Sequence, residues 1–296
     1  MSLREHLSRR LAEMSRRASG QVPSAGEDST CSEDAGAANR AEAGWTLAEL
    51  LPTGREWTGN CGTCWVLIED LRQTWHGSAH LLEWVRPARS APPAGEVRGW
   101  PHAWRGSTVA AIDIETCGFA AAPIFMIGLM ETDGASLVLR QGLARDYAEE
   151  AALLEWAAHR LTASGGVITF NGRTFDIPYV RDRQRYYRHK PLGDLPHLDL
   201  LHIARRIWGA DLPDCRLQTL ELYLTGRARK GDIPGREIPD VYHTFVDTGN
   251  ARHMRTIIQH NRLDLITLME LFGAAWHHVR REVGNARRGN DERNSV

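Results

Sequence analysis

The stretch Val-Ala-Ala-Ile-Asp-Ile-Glu-Thr-Cys-Gly, Val109 to Gly118, decides how this chain is read. An apolar run is followed by two acids two residues apart, and a glycine closes it. Side chains of a β-strand alternate between faces, so Asp113 and Glu115 share a side with Ala111, while Ile112 and Ile114 take the other. Two carboxylates on one face of an apolar strand are costly unless a cation lies between them. Hard divalent cations such as Mg²⁺ and Mn²⁺ take oxygen ligands from such pairs. Acids merely solvated at a strand end are the alternative, and the choice rests on whether further acids arrive later in the chain.

The 296 residues are 42% apolar, with a formal net charge of −1 and an isoelectric point near 6.9. That is a globular composition with room for one large domain or a domain with an appendage. Whole-chain charge does not announce nucleic acid, so any such role must come from local basic patches. The five cysteines, Cys31, Cys61, Cys64, Cys117 and Cys215, are odd in number and scattered, which argues against a disulfide framework. The opening Met-Ser-Leu-Arg-Glu-His-Leu lacks the apolar core of an export signal, and no apolar run approaches a membrane span, so a cytoplasmic location is expected.

Residues 1–18 carry Leu3, Leu7, Leu11 and Met14 at amphipathic helical spacing. Residues 19–44, rich in Ser, Gly, Ala and acids, read as a disordered linker. Residues 45–104 are short apolar pieces broken by Gly and Pro, such as Trp65–Glu69 and His80–Val85, and suggest a small N-terminal β-rich annex. Cys61-Gly-Thr-Cys64 lies there, with His76 and His80 nearby; a single Cys-x-x-Cys is a weak signal for a Cys₂His₂ zinc site.

Residues 105–279 alternate more regularly. Strands are expected at Val109–Ile114, Ile124–Glu131 and Ala135–Arg140, with Asp133-Gly134 as a hairpin turn, and at Val167–Phe170. Helices are expected at Tyr147–Leu161, Ile177–His189, Leu198–Trp208, Leu217–Leu224 and Met254–His278. This order gives an α/β fold with a mixed β-sheet flanked by helices. Residues 280–296 mix Arg with Glu, Gly and Asn and read as a disordered tail.

A third acid, Asp176, lies in Thr-Phe-Asn-Gly-Arg-Thr-Phe-Asp-Ile-Pro-Tyr-Val (Thr169 to Val180), between a strand and a helix. That place suits a ligand at a strand end and equally suits a helix N-cap. A fourth, Asp264, lies in Gln-His-Asn-Arg-Leu-Asp-Leu-Ile-Thr-Leu (Gln259 to Leu268), four residues after His260 and so on the same helix face. An Asp among Leu and Ile is an odd core-facing choice unless it is paired or metal-bound. A surface His–Asp hydrogen bond is the alternative.

The order Asp-Ile-Glu-Thr, then Phe-Asn-Gly…Phe-Asp, then His-Asn..Asp resembles the DEDD exonucleases of the RNase H-like superfamily, and more narrowly the YprB-type RNase H-like family of bacteria. The strings His197–Arg206, Leu217–Glu221 and Asp232–Pro239 also look typical of that family, and the resemblance covers roughly residues 108–272. It implies an RNase H-like fold, and two divalent ions, Mg²⁺ or Mn²⁺, held by Asp113, Glu115, Asp176 and Asp264. Two such ions activate a water and stabilise the leaving oxygen of a phosphodiester. His260 would then be general base or orient the water. Family members with a histidine place it five residues before the last acid and those with a tyrosine four before; here a histidine fills the tyrosine position, which puts the role of His260 in question.

Around these motifs, Tyr179, Tyr186 and Tyr187 interleave with Arg181, Arg183, Arg185, Arg188 and Lys190, a pattern suited to single-stranded nucleic acid. Arg227, Arg229, Lys230 and Arg236 lie in a Gly- and Pro-containing stretch able to grip a backbone. Asn171, before Gly172, is an accessory candidate or a turn residue. Asp199 reads as a helix cap or structural hydrogen bond, with support of the metal site from behind its ligands as the alternative. The expectation is a metal-dependent nuclease acting on single-stranded DNA or RNA from a 3′ end. The competing expectations are a nucleic-acid-binding module with weak or no catalysis, and an interaction protein working through its N-terminal residues. A P-loop and a Gly-x-Ser-x-Gly nucleophile elbow are both absent from the sequence.

Overall fold

The computed structural model describes residues 44–88, 99–102, 104, 108–118 and 121–293. The expected helix at 1–18 and nearly all of the linker at 19–44 lie outside the described residues. Among the described residues, seven strands form one sheet: β1 (Arg55–Gly59), β2 (Gly62–Asp70), β3 (Val109–Thr116), β4 (Ile124–Thr132), β5 (Leu137–Leu143), β6 (Val167–Thr169) and β7 (His197–Asp199). Their order is β1-β2-β5-β4-β3-β6-β7. Strands β3, β4 and β5 pair antiparallel, whereas β6 and β7 run parallel to β3, so the sheet is mixed as expected.

The helices are α1 (Leu47–Leu50), α2 (Leu71–Thr74), α3 (Ser78–Ala88), α4 (Glu150–Ala163), α5 (Asp176–Tyr186), α6 (Leu200–Trp208), α7 (Leu217–Thr225), α8 (Ile238–Thr248) and α9 (Met254–Arg293). The period-two alternation of β3 sorts them into layers. Val109 and Ala111 face a core built with α3, α6, α7 and α9, while Ala110, Ile112 and Ile114 face one built with α4 and α5. A third core, around Phe125, Leu143, Tyr242 and Ile257, joins α1, α8 and the start of α9 to the ends of β4 and β5. Among the described residues no helix is long and apolar enough to cross a membrane.

Several expectations change. Residues 45–104 are not a separate annex: β2 pairs with β5 from Trp65–Leu143 to Asp70–Val138, and the β1–β2 hairpin extends the main sheet. His80–Val85 is helical, because Leu81, Leu82 and Val85 share one helix face and bury it in the core under α9. The Cys₂His₂ zinc site does not form. Cys64 is buried in the core, and Cys61 is exposed and lies 3.2 Å from His189 Nε2.

The β4–β5 turn uses residues 133–136 rather than Asp133-Gly134 alone, because Asp133 Oδ1 caps the backbone N–H groups of Ala135 and Ser136 at 2.7 and 2.8 Å. His197–Asp199, whose pattern reads as a helix start, is instead the edge strand β7. Helix α8 has no counterpart among the expected elements. Helix α9 continues through Arg293, past residue 280 where the composition suggests a disordered tail; no proline interrupts that segment.

Candidate active site

The site is built on the C-terminal half of β3, where the sheet leaves an open edge. Strand β6 pairs with β3 only at Ala110 and Ala111. Beyond that, among the described residues, the edge of β3 has no strand neighbour on this side, and the backbone N–H of Ile114 donates to the Asp176 carboxylate. Asp176 is the first residue of α5 and is itself buried. It is not the N-cap, which is Phe175.

On the face covered by α9, a rung crosses three strands: Asp113 on β3, Gly128 on β4 and Gln141 on β5. Asn261 of α9 lies over this rung. Its Nδ2 donates to Asp113 Oδ2 at 2.7 Å, and its Oδ1 accepts from Gln141 Nε2 at 2.9 Å. The second Gln141 contact, to the carbonyl of Ile258 at 2.9 Å, ties the preceding turn of α9 to the same strand. Gly128 makes the close approach possible, because a Cβ there would stand 2.1 Å from Asn261 Oδ1 and 2.6 Å from Leu265 Cδ1. One helical turn past His260, Asp264 faces the same basin as Asp113.

The four expected acids therefore converge from β3, α5 and α9, and their charges act on one another. Burial, then Asp264, Glu115 and Asp176, raise the Asp113 carboxyl well above its ordinary range, with Asn261 pulling the other way. Glu115 is also raised well above its ordinary range, by burial and by Asp264, Asp176 and Asp232. Burial pushes Asp176 up to about 7, against the backbone N–H groups of Asp176 and Ile114. Asp264 is raised by burial too, partly offset by His260 and Arg229.

A fifth acid, Asp232, opens the Asp232–Pro239 string, which the sequence marks as family-like without giving this residue a role. It lies between α7 and α8, 2.8 Å from His260 Nδ1, while His260 Nε2 stands 3.4 Å from Asp264 Oδ2. Among the described residues, no three His, Cys, Asp or Glu side chains are grouped as a ready metal-binding shell. The chemistry of the donor set still fits a hard divalent cation: carboxylate oxygens share one buried basin and mutual repulsion favours their protonation.

The basic residues divide sharply. Arg229 is turned inward with its side chain 5% exposed, bridging Glu221, Asp232 and Asp264, the last at 2.6 Å. It is thus an internal counter-charge and not a free phosphate ligand. Arg227 is likewise held, by Glu221 and Glu270. Arg181 donates to the carbonyls of Leu192 and Gly193 and to Asp194, clamping the loop before β7. Asn171 adopts φ +66° and accepts from Thr174 Oγ1 at 2.8 Å, so its side chain is used within its turn. Asp199 caps α6 through Leu201 N–H and accepts from the backbone of Asn171 and Arg173, which fixes the segment leading to Asp176.

Three of the expected nucleic-acid residues remain outward. Lys230 is exposed on a cleft that also includes Asp232, Arg255 and Thr256. Arg185 is exposed beside Asp182, and Tyr186 is 69% exposed. Phe175, next to Asp176, is a further exposed aromatic that the basic–aromatic pattern of the sequence does not include.

A family model of the RNase_H superfamily matches residues 110–276. The uncharacterized protein YprB of Bacillus subtilis (strain 168) is 29% identical over 165 residues, covering 54% of this chain and 40% of its own length. The chain thus spans less than half of that relative. The family B DNA polymerase of the hyperthermophilic archaeon Pyrobaculum calidifontis is 16% identical, over 55% of this chain and 24% of the polymerase, with a TM-score of 0.44. E. coli Exonuclease I in complex with a dT13 oligonucleotide is 17% identical, over 52% and 43%, with a TM-score of 0.36. With the family model spanning β4 to β7, nearly all of β3 and the site, the chain belongs to the RNase_H superfamily.

Proposed function

We propose that this protein is a DEDD-type nuclease that hydrolyses phosphodiester bonds of single-stranded DNA or RNA, removing nucleotides from the 3′ end. The observation that carries this is the convergence of Asp113, Glu115, Asp176 and Asp264 in one basin where their charges raise one another. Two Mg²⁺ or Mn²⁺ ions held by these four acids would neutralise the phosphoryl oxygens and ease activation of a water.

The remaining roles fall to the chain's own side chains. Asn261 fixes the Asp113 carboxylate in place. His260 takes a proton from the attacking water as the water oxygen bonds to phosphorus, and the departing 3′ oxygen takes a proton from solvent as its bond to phosphorus breaks. Tyr186 and Phe175 offer exposed faces for stacking, and Arg185 and Lys230 offer charge to phosphates.

The test is nucleotide release from 5′-labelled single-stranded DNA and RNA with Mg²⁺ or Mn²⁺. Stepwise shortening from the 3′ end, lost in Asp113→Asn, is the expected result. No shortening of any substrate by the wild type would refute the reading. A binding module without catalysis is the second reading, and the Arg229 contact to Asp264 is the observation in its favour. Strand binding that survives chelation and removal of the acids would support it.

A further inference from the structure

The unusual position of His260 has a structural counterpart. A tyrosine acts through one oxygen, but an imidazole has two nitrogens, and only one of them can face the reacting atoms. A histidine at that position therefore needs a neighbour that chooses the tautomer and fixes the ring. We propose that Asp232 is that positioning residue, holding His260 so that Nε2 faces the acidic basin; this rests on the nuclease reading above.

The geometry is specific. Asp232 Oδ1 lies 2.8 Å from His260 Nδ1. An ionised carboxylate only accepts hydrogen bonds, so the contact places a proton on Nδ1 and leaves Nε2 as the nitrogen that faces the basin. Nε2 is the nitrogen directed at Asp264, 3.4 Å away. The ring is 11% exposed, so it is not free to exchange this contact for water.

Asp232 is itself held from several sides. Arg229 Nη1 and Gln218 Nε2 donate to its Oδ2, each at 3.2 Å, and the backbone N–H of Ile233 donates to Oδ1 at 3.0 Å. Those holders come from α7 and the loop after it, whereas His260 and Asp264 come from α9. The ring is thus fixed by an element that does not carry the acids. Arg229 joins the two parts, touching Asp232 and Asp264 with one guanidinium. The Asp-Ile-Pro-Gly string thereby delivers a carboxylate to the far side of the histidine.

The experiment uses the full chain with Asp232→Ala and Asp232→Asn, each alone and combined with His260→Gln. Three measurements are made: kcat and KM on a 5′-labelled oligonucleotide with Mn²⁺, Mn²⁺ binding by calorimetry, and the His260 tautomer by ¹⁵N NMR. Asp232→Ala is expected to lower kcat about 10- to 100-fold, the usual loss for a residue that orients another. KM should stay within about twofold, and the loss should vanish in the His260→Gln background, since pairs acting as a unit are not additive. Mn²⁺ binding should be unchanged. Asp232→Asn, whose amide oxygen still accepts from Nδ1, should recover most of the rate. The spectrum should show His260 protonated at Nδ1 in the wild type and not in Asp232→Ala.

An equal loss in the His260→Gln background, or loss of Mn²⁺ binding, would overturn the proposal and make Asp232 a metal ligand or a structural residue. An Nε2-protonated His260 in the wild type would also overturn it. Should the wild type cut no substrate, the nuclease reading fails, and the tautomer measurement still decides whether Asp232 holds His260.

Discussion

Among the described residues, buried carboxylates at two places, Glu150 and the basin beside β3, are treated oppositely. Glu150, at the start of α4, has a fully buried side chain whose oxygens are all employed. Arg183 grips it through two nitrogens, Tyr187 OH donates at 2.9 Å, and the backbone N–H of Ile124 donates at 2.8 Å. The basin beside β3 gathers four acids yet, apart from His260 beside Asp264 and backbone N–H groups at Asp176, brings them one guanidinium, Arg229 at Asp264, and one side-chain amide, Asn261 at Asp113. A buried carboxylate that serves the fold, such as Glu150, is closed by donors from its own chain. The basin remains short of positive charge, which is the electrostatic condition for taking up a cation from outside.

The largest effect that tests this contrast is on turnover. Asp113→Asn keeps the shape and the Asn261 neighbour but removes a charge, and hydrolysis should fall by about 10⁴-fold, about 5 kcal/mol of transition-state stabilisation. Single-turnover assays read it; a loss below about tenfold would mean that the basin is not the catalytic centre. Next is Glu150→Ala, which leaves Arg183 buried without its partner and should cost about 3–5 kcal/mol of stability in urea titration. The two substitutions should move stability in opposite directions, because Asp113→Asn relieves repulsion in the metal-free protein. A rise in Tm of about 2–4 °C per kcal/mol is expected for that relief.

The pH dependence sharpens the same point. Asp176 has a folded pKa of about 7 against an ordinary value of 3.8, so between those values the folded protein binds more protons than the unfolded one. Its contribution to stability is present below about pH 4 and is lost as pH rises through about 7. The advantage of Asp176→Asn over wild type in EDTA should therefore grow from about pH 4 to about pH 7 and then level off. An advantage that shrinks over that range would reverse the assigned sign. The smallest effect is at the surface: Tyr186→Ala should raise KM about 5-fold or more through lost stacking, with kcat within about twofold. Arg181→Ala should instead loosen the loop at 192–194 and leave KM alone, which limited proteolysis and steady-state kinetics together would distinguish.

What the sequence disclosed follows from local periodicity. Alternation along Val109–Thr116 placed Asp113 and Glu115 on the α9 face, and helical spacing placed His260 beside Asp264. The partners that complete the site are not local. Asn261 meets Gln141 and Asp113 across separations of 120 and 148 residues, and Gly128 matters only because α9 crosses it. Asp232 lies in a loop whose course no periodicity gives. Arg229 and Arg181 read as contacts to nucleic acid, since sequence does not reveal whether an arginine meets a ligand or its own chain. The three-residue β7 was hidden because it runs directly into α6, so the apolar pattern reads as one helix.

The most direct test of the central claim is the anomalous difference density of a crystal soaked in Mn²⁺. Two peaks in contact with Asp113, Glu115, Asp176 and Asp264, both absent in Asp113→Asn, are the expected result. Crystals in which Mn²⁺ at saturating concentration leaves this basin empty, with Arg229 still seated on Asp264, would contradict it.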